Sequence, residues 1–463
     1  MLPVVLPAAR PVPVWLGGEP VGLPERMPSG LPPAVARQLA AVLADQQPWA
    51  GARRSGRSQG QGAQRVAAVV VGCEAELVVD TVECDRLLRF LEAVPDRRKR
   101  RGRQHRLAYV LAVAVLAMMA GEPTLAGMGE WVATAPAALL VALGAQTDRC
   151  GRPRRPDRTM IGRALAAGGD ELDQALCAWV GAIRRTHGGG TRYRSLHVDG
   201  KAVKNAGQPG QRSPMLLSAR ADDGTVAAQL TIEGKTNEIP RFAPLCDRID
   251  DLTDTVITAD QLHTQRAHAT YLRHRGAHYV FTVGENQPKL YAALDALPWQ
   301  AIAIEEATVD RGHGRLEVRT IKTLPATELI RGLFPHVEQA FLLERYVYTP
   351  DGTPLGAVAV LGITSLPTNH ADAAAIATYV RGHWSAESLH WLRDVTLGED
   401  DSPIKSAYQA MAALRNLIIG ICSLNGIRNL ARQLRTNHRD PYRLPLLLLG
   451  LMKPNPHHPA TQT

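Results

Sequence analysis

Two aspartates in this chain each stand at the end of a short apolar run. Asp199 closes Leu196-His197-Val198 and is followed by Gly200 and Lys201, and Asp260 closes Val256-Ile257-Thr258-Ala259. Runs of this kind favour strands, and a carboxylate at a strand end projects from a rigid edge. A lone Asp-Gly is ordinarily a turn, and Asp260 also suits the N-cap of a helix through His263 and Arg266. The pair says more than either member. Ligands of α/β sheets gather at strand ends, and adjacent strands lie about 5 Å apart, so both carboxylates could share a cation. A third acid, Glu387, sits in His383-Trp384-Ser385-Ala386-Glu387-Ser388-Leu389-His390-Trp391 on a predicted helix, where a solvated glutamate is the plain reading. Two aspartates and one glutamate can hold two magnesium ions about 4 Å apart. One ion would activate the attacking oxygen and the other stabilise the leaving oxygen of an in-line phosphodiester displacement. Magnesium, with manganese as the alternative, suits such hard oxygen donors.

The elements that must position these acids follow from the pattern. Strands are expected at Ser195 to Val198, Met215 to Ala219, Val226 to Ile232, Thr255 to Thr258 and Tyr279 to Val283, with a helix through Leu272, which makes a mixed α/β core. From about 300 to 366 the runs are again strand-like: Ala301 to Val309, Leu316 to Ile321, Gln339 to Tyr348 and Val358 to Ile363. This stretch reads as a β-rich insertion. Ala371 to Arg393 and Ala407 to Leu430 are expected to be the longest helices. Upstream, helices dominate from about residue 84 to 186, and Leu107 to Ala120 reads as a buried apolar helix too short to span a bilayer. Residues 1–70 are Pro-, Gly- and Arg-rich and read as a flexible leader, and 452–463 as a loose tail.

Composition narrows the partners. Lysine and arginine number 53 against 44 acidic residues, a formal charge of +9 that favours a polyanion. Arg97 to Arg106 carries six arginines and one lysine in ten residues, too dense to bury; Arg97, Arg98, Arg100 and Arg101 are therefore candidate DNA contacts. Six scattered cysteines show no zinc spacing and suit a reducing cytoplasm, and no membrane segment is expected. Trp384 and Trp391 lie seven apart on one helix face, which suits core packing, with base stacking as the other reading.

In their order these segments resemble the insertion-sequence transposases of the H-repeat-associated, ISAs-type branch of the DDE superfamily, over roughly residues 84 to 451. The resemblance rests on Val94-Pro95-Asp96-Arg97-Arg98, Ala120-Gly121, Glu130-Trp131, Val198-Asp199-Gly200-Lys201, Lys235-Thr236-Asn237-Glu238-Ile239 and Thr258-Ala259-Asp260 with His263-Thr264-Gln265. It continues through Phe281-Thr282-Val283, Asn286-Gln287-Pro288, His313-Gly314-Arg315, Thr364-Ser365-Leu366, His383-Trp384 with Glu387, Asp394-Val395-Thr396, Glu399-Asp400 and Leu414-Arg415-Asn416. It implies a ribonuclease-H-like catalytic domain over 191–451, a helical transposase-associated domain over 84–186, and metal-dependent cleavage and transfer of DNA ends. The implied partners are terminal inverted repeats and target DNA, bound by a homo-oligomer. Related transposases carry a tyrosine seven before, an arginine four before and a lysine seven after the glutamate. This chain has Val380, His383 and Asp394 there. Arg381 and Arg393 are nearby candidates for the phosphate contacts, with Lys201, Lys235, His263 and Arg315 beside them. Glu399 and Asp400 rival Glu387 as third ligand. A hydrolytic nuclease of the same fold and an inactive DNA-binding remnant are the alternative functions.

Overall fold

The structure, a computed structural model, describes residues 15–16, 19–20, 79–99, 103–187, 193–207, 213–232, 237–312 and 314–452. The expected leader lies outside the described residues, except for an antiparallel pairing of Trp15–Leu16 with Glu19–Pro20. The tail beyond Met452 and three candidate contacts, Arg100, Arg101 and Lys235, lie outside them as well. The chain forms two compact units. The larger comprises the described residues within Val78–Trp299, Thr323–Leu342 and Val360–Thr463; the smaller comprises those within Met1–Leu77, Gln300–Lys322 and Leu343–Ala359.

The larger unit begins with helices. α1 (Thr81–Glu92) starts where the Asp80 carboxylate accepts from the backbone N–H groups of Val82 and Glu83. α2 (Leu107–Met119) is apolar on every side and buried at every residue, as a helix with no polar face must be. α3 (Leu125–Thr134) and α4 (Ala137–Ala142) follow. α5 (Arg158–His187) is the longest helical stretch described, longer than the two expected to be longest, and it breaks at Gly169, whose φ of 42° and ψ of −124° are not helical. A glycine tolerates that backbone at little cost. The second half of α5 packs against strand and helix elements of the sheet layer, so these helices and the sheet share one compact unit.

The sheet of the larger unit runs in the order β3-β2-β1-β4-β5-β9, with β1 Arg194–Ala202, β2 Met215–Ala221, β3 Val226–Ile232, β4 Thr255–Ala259, β5 His278–Val283 and β9 Pro354–Thr364. β1, β2 and β3 form an antiparallel meander. β4 lies parallel to β1 and β5 parallel to β4, while β9 is antiparallel to β5 through Leu361–Thr364. β4 reads Thr-Val-Ile-Thr-Ala and is buried throughout, the pattern of a parallel strand covered on both faces. One covering element is α10 (Ala373–Trp391), which packs on β1, β4 and β5, with Asp372 capping it through the Ala375 N–H. It runs on into a π-helical turn, Leu392–Thr396, before α11 (Tyr408–Leu424). Two elements lie between the strands, α6 (Phe242–Cys246) and α7 (Arg266–His274).

The smaller unit holds β6 (Glu306–Gly312), most of β7 (Arg315–Pro325) and parts of β8 (Gln339–Tyr348) and β9. β6 and β7 pair antiparallel around Leu316, Val318 and Tyr348, which are buried together. Strands therefore occupy the region expected to be β-rich. No described helix is long and apolar enough to cross a membrane.

Candidate active site

The parallel register of β1 and β4 pairs Val198 with Ala259, so Asp199 and Asp260 follow side by side; Asp260 stands just past the end of β4, whereas β1 does not end at Val198 as expected but continues through Asp199 to Ala202, held there by its pairing with β2. Each backbone holds its carboxylate locally. The Gly200 N–H donates to Asp199 Oδ1 at 2.8 Å. Asp260 is exposed and caps the one-turn 3-10 helix Gln261–His263, accepting from the His263 N–H at 3.4 Å.

α10 brings the third acid to this edge. Its docking is close because residue 382 is glycine: a Cβ there would lie 2.5 Å from His197 Cε1. His197 Nδ1 and Thr258 Oγ1 are 2.7 Å apart, and Thr258 Oγ1 lies 3.3 Å from His383 Nδ1, a polar chain linking β1, β4 and α10. Arg220 of β2 adds another tie, donating to Ser388 Oγ at 3.0 Å and to the Ser385 carbonyl. Glu387 is exposed on α10, and three residues later His390 places Nδ1 3.5 Å from Asp199 Oδ2. Burial, with Arg393 and Lys201 nearby, holds the His390 imidazole neutral down to about 4.

Glu238 is a fourth acid at the site. Its carboxylate sits against Gly200, where a Cβ would meet it at 2.4 Å, and its Oε2 lies 3.3 Å from Nε2 of the fully buried His263. Burial pushes the Asp199 carboxyl up to about 6, and the negative charges of Asp260, Glu238 and Glu387 push the same way against the Gly200 N–H. Four oxygen-donor acids of which one is driven toward its protonated form are the donor chemistry a divalent cation would compensate. Among the described residues, however, no three His, Cys, Asp or Glu side chains converge closely enough to hold a metal ion.

The candidate DNA contacts divide. Arg393 is fully buried, with Nε and Nη2 at 2.9 and 2.8 Å from the two oxygens of Glu399, and is not placed to meet a phosphate. Arg415 and Lys201 reach the same carboxylate at 3.5 and 3.2 Å. Glu399 is thus the centre of a core ion cluster rather than an open ligand, and Asp400 is occupied by Lys204 at 2.9 Å and Lys201 at 3.4 Å. Lys201 itself is 7% exposed. His263 is buried against Glu238 rather than facing solvent. Arg98 is bound in the fold, with two nitrogens at 2.9 Å from Asp96 and a third bond to the His105 carbonyl at 2.8 Å. Arg97 and Arg381 are exposed, Arg97 pairing with Glu171. Arg315, in the smaller unit, is partly exposed beside Glu317 at 2.7 Å. Trp391 is 55% exposed, which removes the core-packing reading for it, while Trp384 is half-buried. Glu238 and His390 had no role in the sequence reading. Both lie inside segments that carry the resemblance or the glutamate helix, so an acid just past a strand was the available signal for Glu238.

Known proteins resemble this chain in the same regions. The family model described as "Transposase DDE domain" matches residues 190–422, and that described as "DDE_Tnp_1-associated" matches 88–180. A protein described as "Putative transposase YncI" from Escherichia coli O157:H7 is 26% identical over 238 residues, 49% of this chain. This chain spans 61% of that relative's length. The protein described as "H repeat-associated putative transposase YhhI" from Escherichia coli strain K12 is 25% identical over 279 residues, 55% of this chain and 71% of the relative. A piggyBac transposase synaptic complex with hairpin DNA aligns over 81% of each chain at 10% identity, with a TM-score of 0.35 that carries no argument.

Proposed function

The chain belongs to the family of the Transposase DDE domain, and from that premise we propose that it is a DNA transposase acting on the ends of an insertion sequence, with Asp199, Asp260 and Glu387 as its metal-binding triad. The observation that carries this reading is the side-by-side position of Asp199 and Asp260 on adjacent parallel strands, where burial and then the charges of Asp260, Glu238 and Glu387 raise the Asp199 carboxyl. An antiparallel meander continued by two parallel strands and covered by the glutamate helix supports a ribonuclease-H-like core.

The reaction is an in-line displacement: an attacking oxygen bonds to phosphorus as the bond to the leaving oxygen breaks. Magnesium ions, when bound, would supply charge neutralisation at both oxygens. Asp199, Asp260 and Glu387 would hold them. The protein's own part is to hold these acids where cleavage needs them. Gly200 and the His263 N–H fix the two aspartates, the Thr258 chain and Gly382 seat α10, and the His263–Glu238 contact braces the turn that follows Asp260. Exposed Arg97, Arg381 and Arg315 serve as DNA contacts in this proposal, together with Arg100, Arg101 and Lys235. Two element ends must meet, so the proposed complex is a homo-oligomer on DNA.

The test is cleavage of a duplex carrying the terminal repeat that flanks the coding region. Nicking should require magnesium and stop with a chelator, and joined products should appear when target DNA is added. Asp260→Asn should stop cleavage while a gel shift of the same duplex persists. Cleavage that survives both the chelator and this substitution overturns the proposal.

A further inference from the structure

Lys201 lies on the strand of Asp199, two residues on and therefore on the same strand face. Its ammonium is 2.7 Å from Asp394 Oδ1, 3.2 Å from Glu399 Oε2 and 3.4 Å from Asp400 Oδ1, and it is 3.3 Å from the Ala202 carbonyl. The ammonium donates to Asp400 Oδ1 and the Ala202 carbonyl and forms ion pairs with Asp394 and Glu399, so at 7% exposure its charge is already met from within the chain rather than offered to a phosphate. All three acids belong to the segment that continues the glutamate helix. Asp394 sits on its π-helical turn, a type of irregularity frequent at functional sites, and Glu399 and Asp400 follow that turn.

Glu399 does not need Lys201 for neutralisation. Arg393 on the same segment binds it through two nitrogens, and Arg415 from α11 approaches it from the other side. What Lys201 adds is a link between elements. Together with the contact of His390 to Asp199, it fastens the end of the helix that carries Glu387 to the strand that carries Asp199 at two points along one strand face. Resting on the transposase reading above, we infer that Lys201 is a positioning residue: acting through Asp394 and Glu399, it sets the end of the glutamate helix against β1 and so places Glu387 opposite Asp199. It is not a DNA contact.

Lys201→Met keeps an unbranched side chain one atom shorter and removes the cation. Asp394→Asn, at an acid whose side chain is 30% exposed, breaks the shortest of the three contacts with less risk to folding. Amide hydrogen exchange over residues 391–400 of the full chain reads the tether without any activity, and it should accelerate about ten-fold in both variants. The magnesium concentration for half-maximal nicking should rise about ten-fold, while DNA affinity and its salt slope stay as in the unaltered chain. Lys201→Arg should restore part of both effects, because it returns a cation to the same three acids. Wild-type exchange in a folded Asp394→Asn chain overturns the tether. So does a Lys201→Met chain whose salt slope drops by about one phosphate contact, which would make Lys201 a DNA ligand. An unaltered chain that never nicks with magnesium would instead overturn the transposase reading, and the exchange result would still decide the tether.

Discussion

Removing the charge of Asp199 should stabilise the metal-free protein. An ordinary aspartate releases its proton near 3.8, whereas Asp199 in the folded chain holds it until about 6. Across that interval the folded state binds more protons than the unfolded state, so the contribution of Asp199 to stability falls as pH rises from about 4 and levels off above about 6. A shift of about two pH units corresponds to roughly 3 kcal/mol at about 1.4 kcal/mol per unit. The side chain is 25% exposed, so solvent screening lowers the expected effect to about 1–3 kcal/mol. Asp199→Asn keeps the acceptor for the Gly200 N–H and carries no proton to release. Urea midpoints in chelator, measured from about pH 4 to pH 8, should therefore coincide for the two chains at the acid end, with the asparagine chain becoming the more stable by about 1–3 kcal/mol above pH 6. His390, the histidine beside Asp199, is held neutral down to about 4, so from there to pH 8 the difference between the chains reads the Asp199 proton. Magnesium should then stabilise the unaltered chain and leave the variant unchanged. A difference that is absent, or that favours aspartate at neutral pH, would refute the claim that uncompensated like charge and burial dominate this site.

The remaining tests concern the supports of the site. Glu399→Gln strands Arg393, buried beside it, and should cost about 3–5 kcal/mol in urea unfolding, while Glu387→Gln at an exposed position should stay within about 0.5 kcal/mol. That contrast separates the core acid from the proposed ligand by stability alone. Gly382→Ala places a methyl 2.5 Å from His197 Cε1 and should cost about 1–3 kcal/mol by pushing α10 off β1, read from the same unfolding curves. Arg98→Gln should lower stability by about 1–3 kcal/mol through the lost Asp96 and His105 contacts, with no change in the salt slope of DNA binding measured by titration.

A feature of this fold is legible in the amino-acid sequence to the extent that its signal is local. β3 and β8 match the expected Val226 to Ile232 and Gln339 to Tyr348 at both ends, because β-branched and aromatic runs between turn residues declare strands without help from elsewhere. Asp260 past the end of β4 was visible for the same reason, whereas the run of β1 beyond Asp199 depends on its pairing with β2 and was not. The partners of charged residues were not. Lys201 on β1 and Arg415 on α11 lie far in sequence from Arg393 and Glu399, and nothing in their sequence neighbourhoods says that the four meet in the core, so arginine and lysine near the acids read as phosphate contacts. Arg98 misled in the same way, since a run of arginines looks solvated even when one member turns inward onto Asp96. α5 exceeds the helices expected to be longest because a single non-helical residue, Gly169, joins two helical halves into one stretch. Trp391 looked like core because Trp384 shares its helix face, but α10 ends there and leaves the ring 55% exposed.

The most direct test of the central claim is manganese binding to the full chain on its terminal-repeat duplex, followed by the paramagnetic signal of free ion. The account predicts that the unaltered complex takes up a pair of ions and that Asp199→Asn, Asp260→Asn and Glu387→Gln each weaken that uptake, while Glu399→Gln, wherever it remains folded, binds as the unaltered chain does. Uptake that is indifferent to all three triad substitutions would contradict it.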